Sequence, residues 1–206
     1  MSDIVCVTCQ AQCAEPLPLR VAQIVAARPA AVILREKALE PDALKRLAVQ
    51  LARLCATNGV PFVLNGPLEL AYELGCAAVH APLPALRAAA PDIRRHFASL
   101  GTSVHSLDEA REAVALGATR LIAGHVFPTD CKAGLAPRGL PFLRDVCAAV
   151  NVPVYAIGGI TPDVLAGVRK AGAAGACIMS GLMKAADPAA LLAACEQAWN
   201  AVLPDA

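Results

Sequence analysis

Eight short apolar runs, joined in turn by segments of helical periodicity, predict that this chain of 206 residues folds as a (β/α)₈ (TIM) barrel. The runs are apolar throughout instead of alternating between apolar and polar, which is typical of parallel strands covered by helices. An open flavodoxin-like sheet needs only about five strands and would leave several runs unexplained. We therefore expect one compact domain over residues 1–206, without a linker or a second domain.

The predicted strands share a core of aliphatic residues bounded by Gly, Pro or polar residues. They cover residues 4–8, 31–35, 61–65, 78–81, 102–105, 120–124, 153–157 and 176–179. Three similar junctions, at residues 74–77, 116–119 and 171–174, each join the end of a helix to the next strand. This weak internal repeat favours a chain built from successive β-α units.

The helical segments between these strands carry recognisable starts and ends. Apolar residues of segment 42–58 recur on one helical face, and Gly59 ends the run. Ser106 and Glu109 form a capping box that opens another helix, which Gly117 closes. These signals support the alternation of strands and helices that a barrel requires.

The composition argues against several classes of function. A formal net charge of +1 offers no basic surface for nucleic acid, and one Trp, two Tyr and four Phe are too few for base-stacking platforms. The chain is 57% hydrophobic, but no uncharged apolar run reaches the roughly 18 residues of a spanning helix. The first residues lack the basic and apolar regions of a signal peptide. We expect a cytoplasmic protein with neither a nucleic-acid nor a membrane partner.

The nine cysteines do not suggest a disulfide framework, because their number is odd and many lie in apolar stretches. Cys6, Cys9 and Cys13 have a metal-like spacing, but no second pair or histidine cluster completes a tetrahedral site. We therefore expect these three residues to pack around the first strand, with no metal bound. Cys131 is a candidate nucleophile, although the sequence shows no clear partner base for it.

Three of the four histidines fall where predicted strands end. His80 ends the fourth strand, His105 the fifth, and His125 follows the sixth, whereas His96 belongs to a predicted exposed helix. Active sites of barrel enzymes are built at the carboxyl ends of the strands. An unperturbed histidine titrates near pH 6.5, so His125 is a candidate acid or base. The alternative is a structural imidazole whose hydrogen bond goes to a backbone carbonyl.

Basic and polar residues lie at the same predicted edge. Arg35 and Lys37 follow the second strand, and Asn65 ends the third. Because Arg35 directly continues a buried strand, we expect it to meet an anionic ligand. Glu36 could equally be its ion-pair partner in a purely structural role.

The segment after the sixth strand concentrates titratable groups. His125 is followed by Thr129, Asp130 and Lys132 within eight residues. A buried strand has no use for this density of polar groups, whereas a site that moves protons on an anionic substrate does. Lys132 is either a ligand for a second anionic group or a solvated loop charge.

Two glycine-containing loops follow the seventh and eighth strands. Gly158 and Gly159 allow the backbone to approach a ligand closely, and the next helix is predicted to begin with Thr161 as its cap. Ser180 and Gly181 repeat the arrangement after the eighth strand. Loops at these two positions commonly bind phosphate in such barrels. The alternative is that the Gly158–Gly159 pair only makes a tight turn.

Six segments together resemble the thiamine phosphate synthase superfamily. They are Leu-Arg-Glu-Lys at 34–37, Leu-Asn at 64–65, Ser-Val-His-Ser at 103–106, Gly-His-Val-Phe-Pro-Thr-Asp-Cys-Lys at 124–132, Ala-Ile-Gly-Gly-Ile at 156–160 and Met-Ser-Gly at 179–181. Their order is that of the superfamily, and they span nearly the whole chain. The resemblance implies a (β/α)₈ barrel that binds phosphorylated thiazole compounds of thiamine biosynthesis.

The resemblance also separates two branches of the superfamily. The synthase branch couples a pyrimidine diphosphate to thiazole phosphate with Mg²⁺, and has acidic residues after its third and fourth strands. Here Gly66 stands at the first place, residues 80–84 contain no acid, and Glu69 is several residues displaced. Hard divalent cations need oxygen ligands, usually carboxylates. The segment at 124–132 instead resembles the thiazole tautomerase (TenI-like) branch, which needs no cofactor.

By this resemblance, His125 moves the proton that makes a carboxythiazole phosphate tautomer aromatic. The resemblance further implies substrate-binding residues, namely Arg35, Lys37, Asn65, His105, Thr129, Asp130 and Lys132. It implies that the phosphate-binding residues are Gly158, Gly159, Ser180 and Gly181.

Three other functions remain open at this point: the Mg²⁺-dependent synthase, a non-catalytic barrel that binds a thiamine precursor, and a phosphosugar isomerase. The last lacks a clearly placed glutamate base after the sixth strand. Barrels this short often pair, so a homodimer is a further alternative. The sequence fixes neither which basic residue binds the substrate carboxylate nor whether loop 129–138 closes over it.

Overall fold

The computed structural model describes residues 3–201. Eight parallel strands close into a barrel in which each strand pairs with its neighbours in sequence and β8 pairs with β1. The strands are β1 Ile4–Val7, β2 Ala31–Leu34, β3 Phe62–Asn65, β4 Ala78–His80, β5 Ser99–Val104, β6 Arg120–Gly124, β7 Val154–Ile157 and β8 Gly175–Ile178. The predicted (β/α)₈ barrel is confirmed. The single domain over 1–206 stays a prediction, because residues 1–2 and 202–206 lie outside the described residues.

Helices lie between successive strands and after the last one. They are α1 Leu17–Ala26, α2 Pro41–Thr57, α3 Leu68–Glu73, α4 Leu83–Ala88, α5 Pro91–His96, α6 Leu107–Ala115, α7 Gly139–Ala149, α8 Leu165–Lys170, α9 Ser180–Lys184 and α10 Pro188–Asn200. In α2, Leu44, Ala48, Leu51 and Cys55 form the buried face. Within residues 3–201, no helix has the length and apolar character needed to cross a membrane.

The structure confirms one predicted helix cap and corrects another. The Ser106 hydroxyl accepts the Glu109 N–H at 3.1 Å, and the Glu109 carboxylate accepts the N–H of His105 at 2.6 Å. Thr161, in contrast, does not cap a helix. Its hydroxyl donates to the Asp163 carboxylate at 2.6 Å, and a 3₁₀ turn precedes α8. A nearby carboxylate competes successfully with the backbone for this hydroxyl.

The core has two layers, because successive strand residues point to opposite sides of the barrel wall. The outer layer, between strands and helices, contains fully buried residues such as Ile4, Leu64 and Leu121. Full burial of such a side chain contributes about 1.5–3 kcal/mol. The inner layer fills the barrel and contains Val5, Val7, Ala31, Ile33, Val63, Ile122 and Cys177. This packed interior supports the loops at the carboxyl ends of the strands.

Candidate functional site

A cavity of about 560 Å³ opens at the carboxyl ends of the strands. Residues on or directly after all eight strands line it. Of the residues singled out from the sequence, it is lined by Arg35, Lys37, Asn65, His105, His125, Thr129, Lys132, Gly158, Gly159, Ser180 and Gly181. Asp130 does not line the cavity; it is exposed at the start of a 3₁₀ turn, Asp130–Lys132. The prediction that Asp130 binds substrate therefore has no support from the geometry.

His125 stands at the carboxyl end of β6 with 9% of its surface exposed. Its Nε2 lies 3.3 Å from the carbonyl oxygen of Leu135. A carbonyl can only accept a hydrogen bond, so this contact places the proton of the neutral ring on Nε2. Nδ1 is then the basic nitrogen. The peptide bond between Gly124 and His125 is cis.

The Gly124 carbonyl receives hydrogen bonds from two sides. His105 Nδ1 approaches it at 2.7 Å, and Arg138 Nε donates to it at 3.2 Å. His105 must therefore carry a proton on Nδ1. The backbone N–H of Arg138 also donates to the His125 carbonyl at 3.0 Å. These bonds hold the backbone on which His125 sits.

The two positions after β7 require glycine, because their backbone lies very close to the segment 125–128. Gly158 and Gly159 have φ angles of +99° and +65°. A Cβ on Gly158 would overlap the Cβ of His125, and one on Gly159 would lie 2.5 Å from the Pro128 carbonyl oxygen. The loop can lie against the His125 segment only because both residues lack a side chain.

Glu36 is not the ion-pair partner of Arg35. Its carboxylate accepts the Thr8 hydroxyl at 2.7 Å and the Gln10 N–H at 3.0 Å, so it does not pair with Arg35. The Arg35 guanidinium contacts the Met179 sulfur at 3.9 Å and meets no carboxylate among residues 3–201. A positive charge thus faces the cavity without a protein counter-ion.

Cys131 differs chemically from the buried cysteines. Its thiol is exposed and lies 3.3 Å from the Ser180 hydroxyl and 3.4 Å from the Gln12 side-chain nitrogen. The Ser180 contact is the main cause that lowers the pKa of this thiol. Burial raises the pKa of Cys55 and Cys195 to about 11. Among residues 3–201, no base lies within hydrogen-bond distance of this thiol, so the geometry does not support Cys131 as a nucleophile.

His80, noted from the sequence only as a strand-end histidine, and Ser103 line the cavity but were not among the predicted catalytic or binding residues. His80 is 3% exposed, and its Nε2 lies 2.9 Å from the Ser103 hydroxyl. Burial, followed by the charges of Arg120 and Arg35, lowers the pKa of His80 to about 3. The strand-end position of His80, and the place of Ser103 two residues before His105 on one strand, are signals that could have found them.

We expect His80 to make stability depend on pH below neutrality. An unfolded histidine gains a proton near pH 6.5, whereas folded His80 stays neutral down to about pH 3. The free energy of unfolding should therefore decrease as the pH is lowered through this window, with a slope approaching about 1.4 kcal/mol per pH unit. Urea unfolding at several pH values between about pH 7 and pH 5 measures how the free energy of unfolding changes with pH. This pH dependence should be weaker for His80→Gln than for the wild type. His96→Gln, at an exposed position on α5, should keep the wild-type slope; equal slopes in all three proteins would contradict the prediction.

The cavity does not offer the ligands that a hard divalent cation needs. Within residues 3–201, no group of three or more His, Cys, Asp or Glu side chains is placed to hold a metal ion. Among these residues, Glu109 is the one carboxylate lining the cavity, and the His105 N–H occupies one of its oxygens. Three cations, those of Arg35, Lys37 and Lys132, line the same cavity. Its charge suits an anion.

A comparison with models of protein families identifies the family of this chain. The family model TMP-TENI, described as thiamine monophosphate synthase, matches residues 4–182. The chain belongs to this family. Family membership supports an enzyme of thiamine biosynthesis.

Curated members of the thiamine monophosphate synthase family are similar over most of the chain. Thiamine-phosphate synthase of Geobacillus thermodenitrificans is 37% identical over 167 residues, which are 78% of this chain and 75% of that protein. The enzyme of the same name from Salinispora arenicola is 42% identical over 159 residues, 72% of this chain and 74% of its own. These names favour the coupling synthase, the alternative considered above, over the tautomerase.

A solved structure of the family has the same architecture. Thiamine phosphate pyrophosphorylase from Pyrococcus furiosus superposes with a TM-score of 0.83 at 26% identity, covering 98% of this chain and 97% of its own. Its name again points to the synthase branch.

Proposed function

We propose that this protein is a thiazole tautomerase of thiamine biosynthesis, which makes a carboxythiazole phosphate aromatic by proton transfer through His125. One observation carries the proposal: a histidine whose Nδ1 is the basic nitrogen stands in a cationic cavity that lacks carboxylate ligands for a metal. The family supports an enzyme of thiamine biosynthesis that acts on a phosphorylated thiazole, whereas the names of the curated relatives favour the synthase reaction. The resemblance of segment 124–132 to the tautomerase branch supports the finer assignment.

In the proposed reaction, the loops at Gly158–Gly159 and Ser180–Gly181 bind the substrate phosphate. The carboxylate faces the cations of Arg35 and Lys37, which line the cavity and form no ion pair within residues 3–201. This arrangement fixes the ring against His125.

His125 then takes the ring proton on Nδ1. The imidazolium that forms donates its Nε2 proton to the Leu135 carbonyl, 3.3 Å away, and this contact stabilises the charge. The proton taken from the ring then passes from Nδ1 to the exocyclic carbon, so the reaction is an isomerisation with no net gain or loss of protons. Recovery of the aromatic ring provides the driving force, and no cofactor is required.

The coupling synthase is the second candidate, because the curated relatives carry that name. It would use Mg²⁺ on a pyrimidine diphosphate. The residues present do not fit this ion, since Asn65 is followed by Gly66 and the one cavity carboxylate of the described residues, Glu109, is already bonded to the backbone.

Conversion of the carboxythiazole phosphate tautomer, followed by NMR in the presence of EDTA, distinguishes the two candidates. The tautomerase predicts turnover that EDTA does not reduce. Absence of turnover in EDTA, together with Mg²⁺-dependent coupling of hydroxymethylpyrimidine diphosphate to thiazole phosphate, would overturn the proposal in favour of the synthase. Tight binding of thiazole phosphate without either reaction would indicate a non-catalytic barrel.

Arg35→Gln should weaken binding of thiazole phosphate carrying the carboxylate by about tenfold or more, because a charge-assisted hydrogen bond is worth about 1.5–3 kcal/mol. Isothermal titration calorimetry measures the effect. Arg46→Gln removes the same charge from an exposed position on α2 and should leave the affinity unchanged. Equal affinities of the two variants would show that Arg35 does not contact the ligand.

The remaining predictions on partners are not tested by these observations. A homodimer, and the lack of a nucleic-acid or membrane partner, stay predictions of the sequence.

A further inference from the structure

Three residues stand in one row across neighbouring strands inside the barrel. His80 on β4 is in register with Gly101 on β5, and Gly101 is in register with Arg120 on β6. A Cβ on Gly101 would lie 2.6 Å from Arg120 Nε and 2.8 Å from His80 Nδ1. The missing side chain therefore leaves the space in which the arginine and the histidine meet.

The polar atoms at this meeting point have no hydrogen-bond partner among the described residues. They are His80 Nδ1, Arg120 Nε and Arg120 Nη2, and all three are buried. A guanidinium has only N–H donors and stays charged at any accessible pH. A proton on His80 Nδ1 would therefore face another donor and a positive charge. A lone pair on Nδ1 is attracted to the same group, directly or through a bridging water.

The proton of the neutral His80 ring is thereby directed to Nε2. This nitrogen lies 2.9 Å from the Ser103 hydroxyl oxygen, which accepts the hydrogen bond from Nε2–H in that tautomer. Once the oxygen accepts from His80, the Ser103 hydroxyl hydrogen is free to turn away from the histidine. Ser103 lines the cavity, so its hydrogen can be donated to a ligand.

We propose that Arg120 is a positioning residue, which sets the tautomer of His80 and so makes Ser103 a hydrogen-bond donor to the bound ligand. Arg120 does not line the cavity and acts through His80. The chemistry selects a ligand that presents an acceptor at this place: a ring nitrogen or an oxygen of an anionic group. The role of Ser103 toward substrate rests on the proposed function, whereas the tautomer of His80 does not.

The tautomer can be measured on the ligand-free protein by ¹⁵N NMR of the histidine side chains, with His80→Gln used to assign the signals. Wild type should show His80 as the Nε2–H tautomer, and Arg120→Met should shift the tautomer ratio at least about tenfold toward Nδ1–H. Arg120→Lys keeps the charge and should retain most of the wild-type ratio. A protonated Nδ1 in wild type, or an unchanged ratio in Arg120→Met, would overturn the proposal. If Arg120→Met fails to fold, Gly101→Ala provides a second variant, because its Cβ separates the same two groups.

The consequence for the ligand is measured by kinetics on the carboxythiazole phosphate tautomer. Arg120→Met should raise KM about tenfold with a much smaller change in kcat, and Ser103→Ala should do the same. Because both act through one hydrogen bond, the double variant should lose no more than either single variant. Additive losses would show that Arg120 acts independently of Ser103 and would overturn this part of the proposal. If His125→Ala kept full turnover, the proposed function would fail while the tautomer measurement would still test Arg120.

Discussion

His125→Ala should lower kcat for the aromatisation of the carboxythiazole phosphate by about 10²–10⁴-fold, the usual contribution of a positioned general acid or base. KM should change little, because the phosphate loops and the cations at Arg35 and Lys37 remain in place. The expected loss is large because His125 lines the cavity and its Nε2 is bonded to the Leu135 carbonyl, which leaves Nδ1 as the basic nitrogen. Initial rates followed by NMR at several substrate concentrations, with EDTA present, give both kcat and KM.

His96→Ala is the matched control for this variant. His96 is exposed on α5, where its ring packs 4.4 Å from that of Tyr72, and it does not line the cavity. We expect wild-type kinetics from it. If His125→Ala retained turnover within about threefold of wild type, the proton would have to move through another group, and the assignment to His125 would be wrong.

Gly159→Ala should reduce affinity for thiazole phosphate by about 100-fold or more, since the loop that we propose to bind phosphate would be displaced. The added Cβ would lie 2.5 Å from the Pro128 carbonyl oxygen and 2.7 Å from the Phe127 Cβ. Relief of this overlap requires the backbone to shift, which costs more free energy than a change of side-chain rotamer. Calorimetric titration with thiazole phosphate measures the loss.

Gly59→Ala separates this steric effect from backbone strain. Gly59 has a φ of +67°, close to the +65° of Gly159, but a Cβ there meets nothing within 4 Å. Both variants therefore pay a similar conformational cost of about 1 kcal/mol, and only one disturbs the cavity. Equal affinities of the two variants would show that the Gly158–Gly159 loop makes a turn and does not bind the phosphate.

The fold follows from the sequence because parallel strands buried on both sides carry an unbroken apolar signal. The least accurate strand boundary was that of β5, which begins at Ser99, three residues before the predicted start at 102. Gly101 there resembles a turn residue, but it pairs with His80 across the sheet. A local signal does not reveal a glycine that serves a neighbouring strand.

The rule that barrel sites lie at strand ends located the cavity, but not the contacts inside it. Glu36 follows Arg35 directly in sequence, yet its carboxylate binds Thr8 and Gln10 on the adjacent β1 segment. The contact of His80 with Arg120 depends on the register of three strands. One sequence carries no information on which residues of separate strands face each other, so these partners could not be predicted.

The proposed branch of the family rests on a small number of positions. Overall similarity leads to proteins named thiamine-phosphate synthase. The distinction from the synthase rests on the lack of an acid at Gly66 and across 80–84, and on the presence of His125. A comparison over the full length gives these few residues little weight.

The distribution of thiols has a practical consequence for labelling. Cysteine reagents attack the thiolate, so the lowered pKa and exposure of Cys131 make it the preferred point of alkylation. Buried Cys6, Cys55, Cys177 and Cys195 resist the same reagents, because their pKa values are raised. The native chain thus carries an attachment point for a fluorophore at the mouth of its cavity, where an arriving ligand would change the emission.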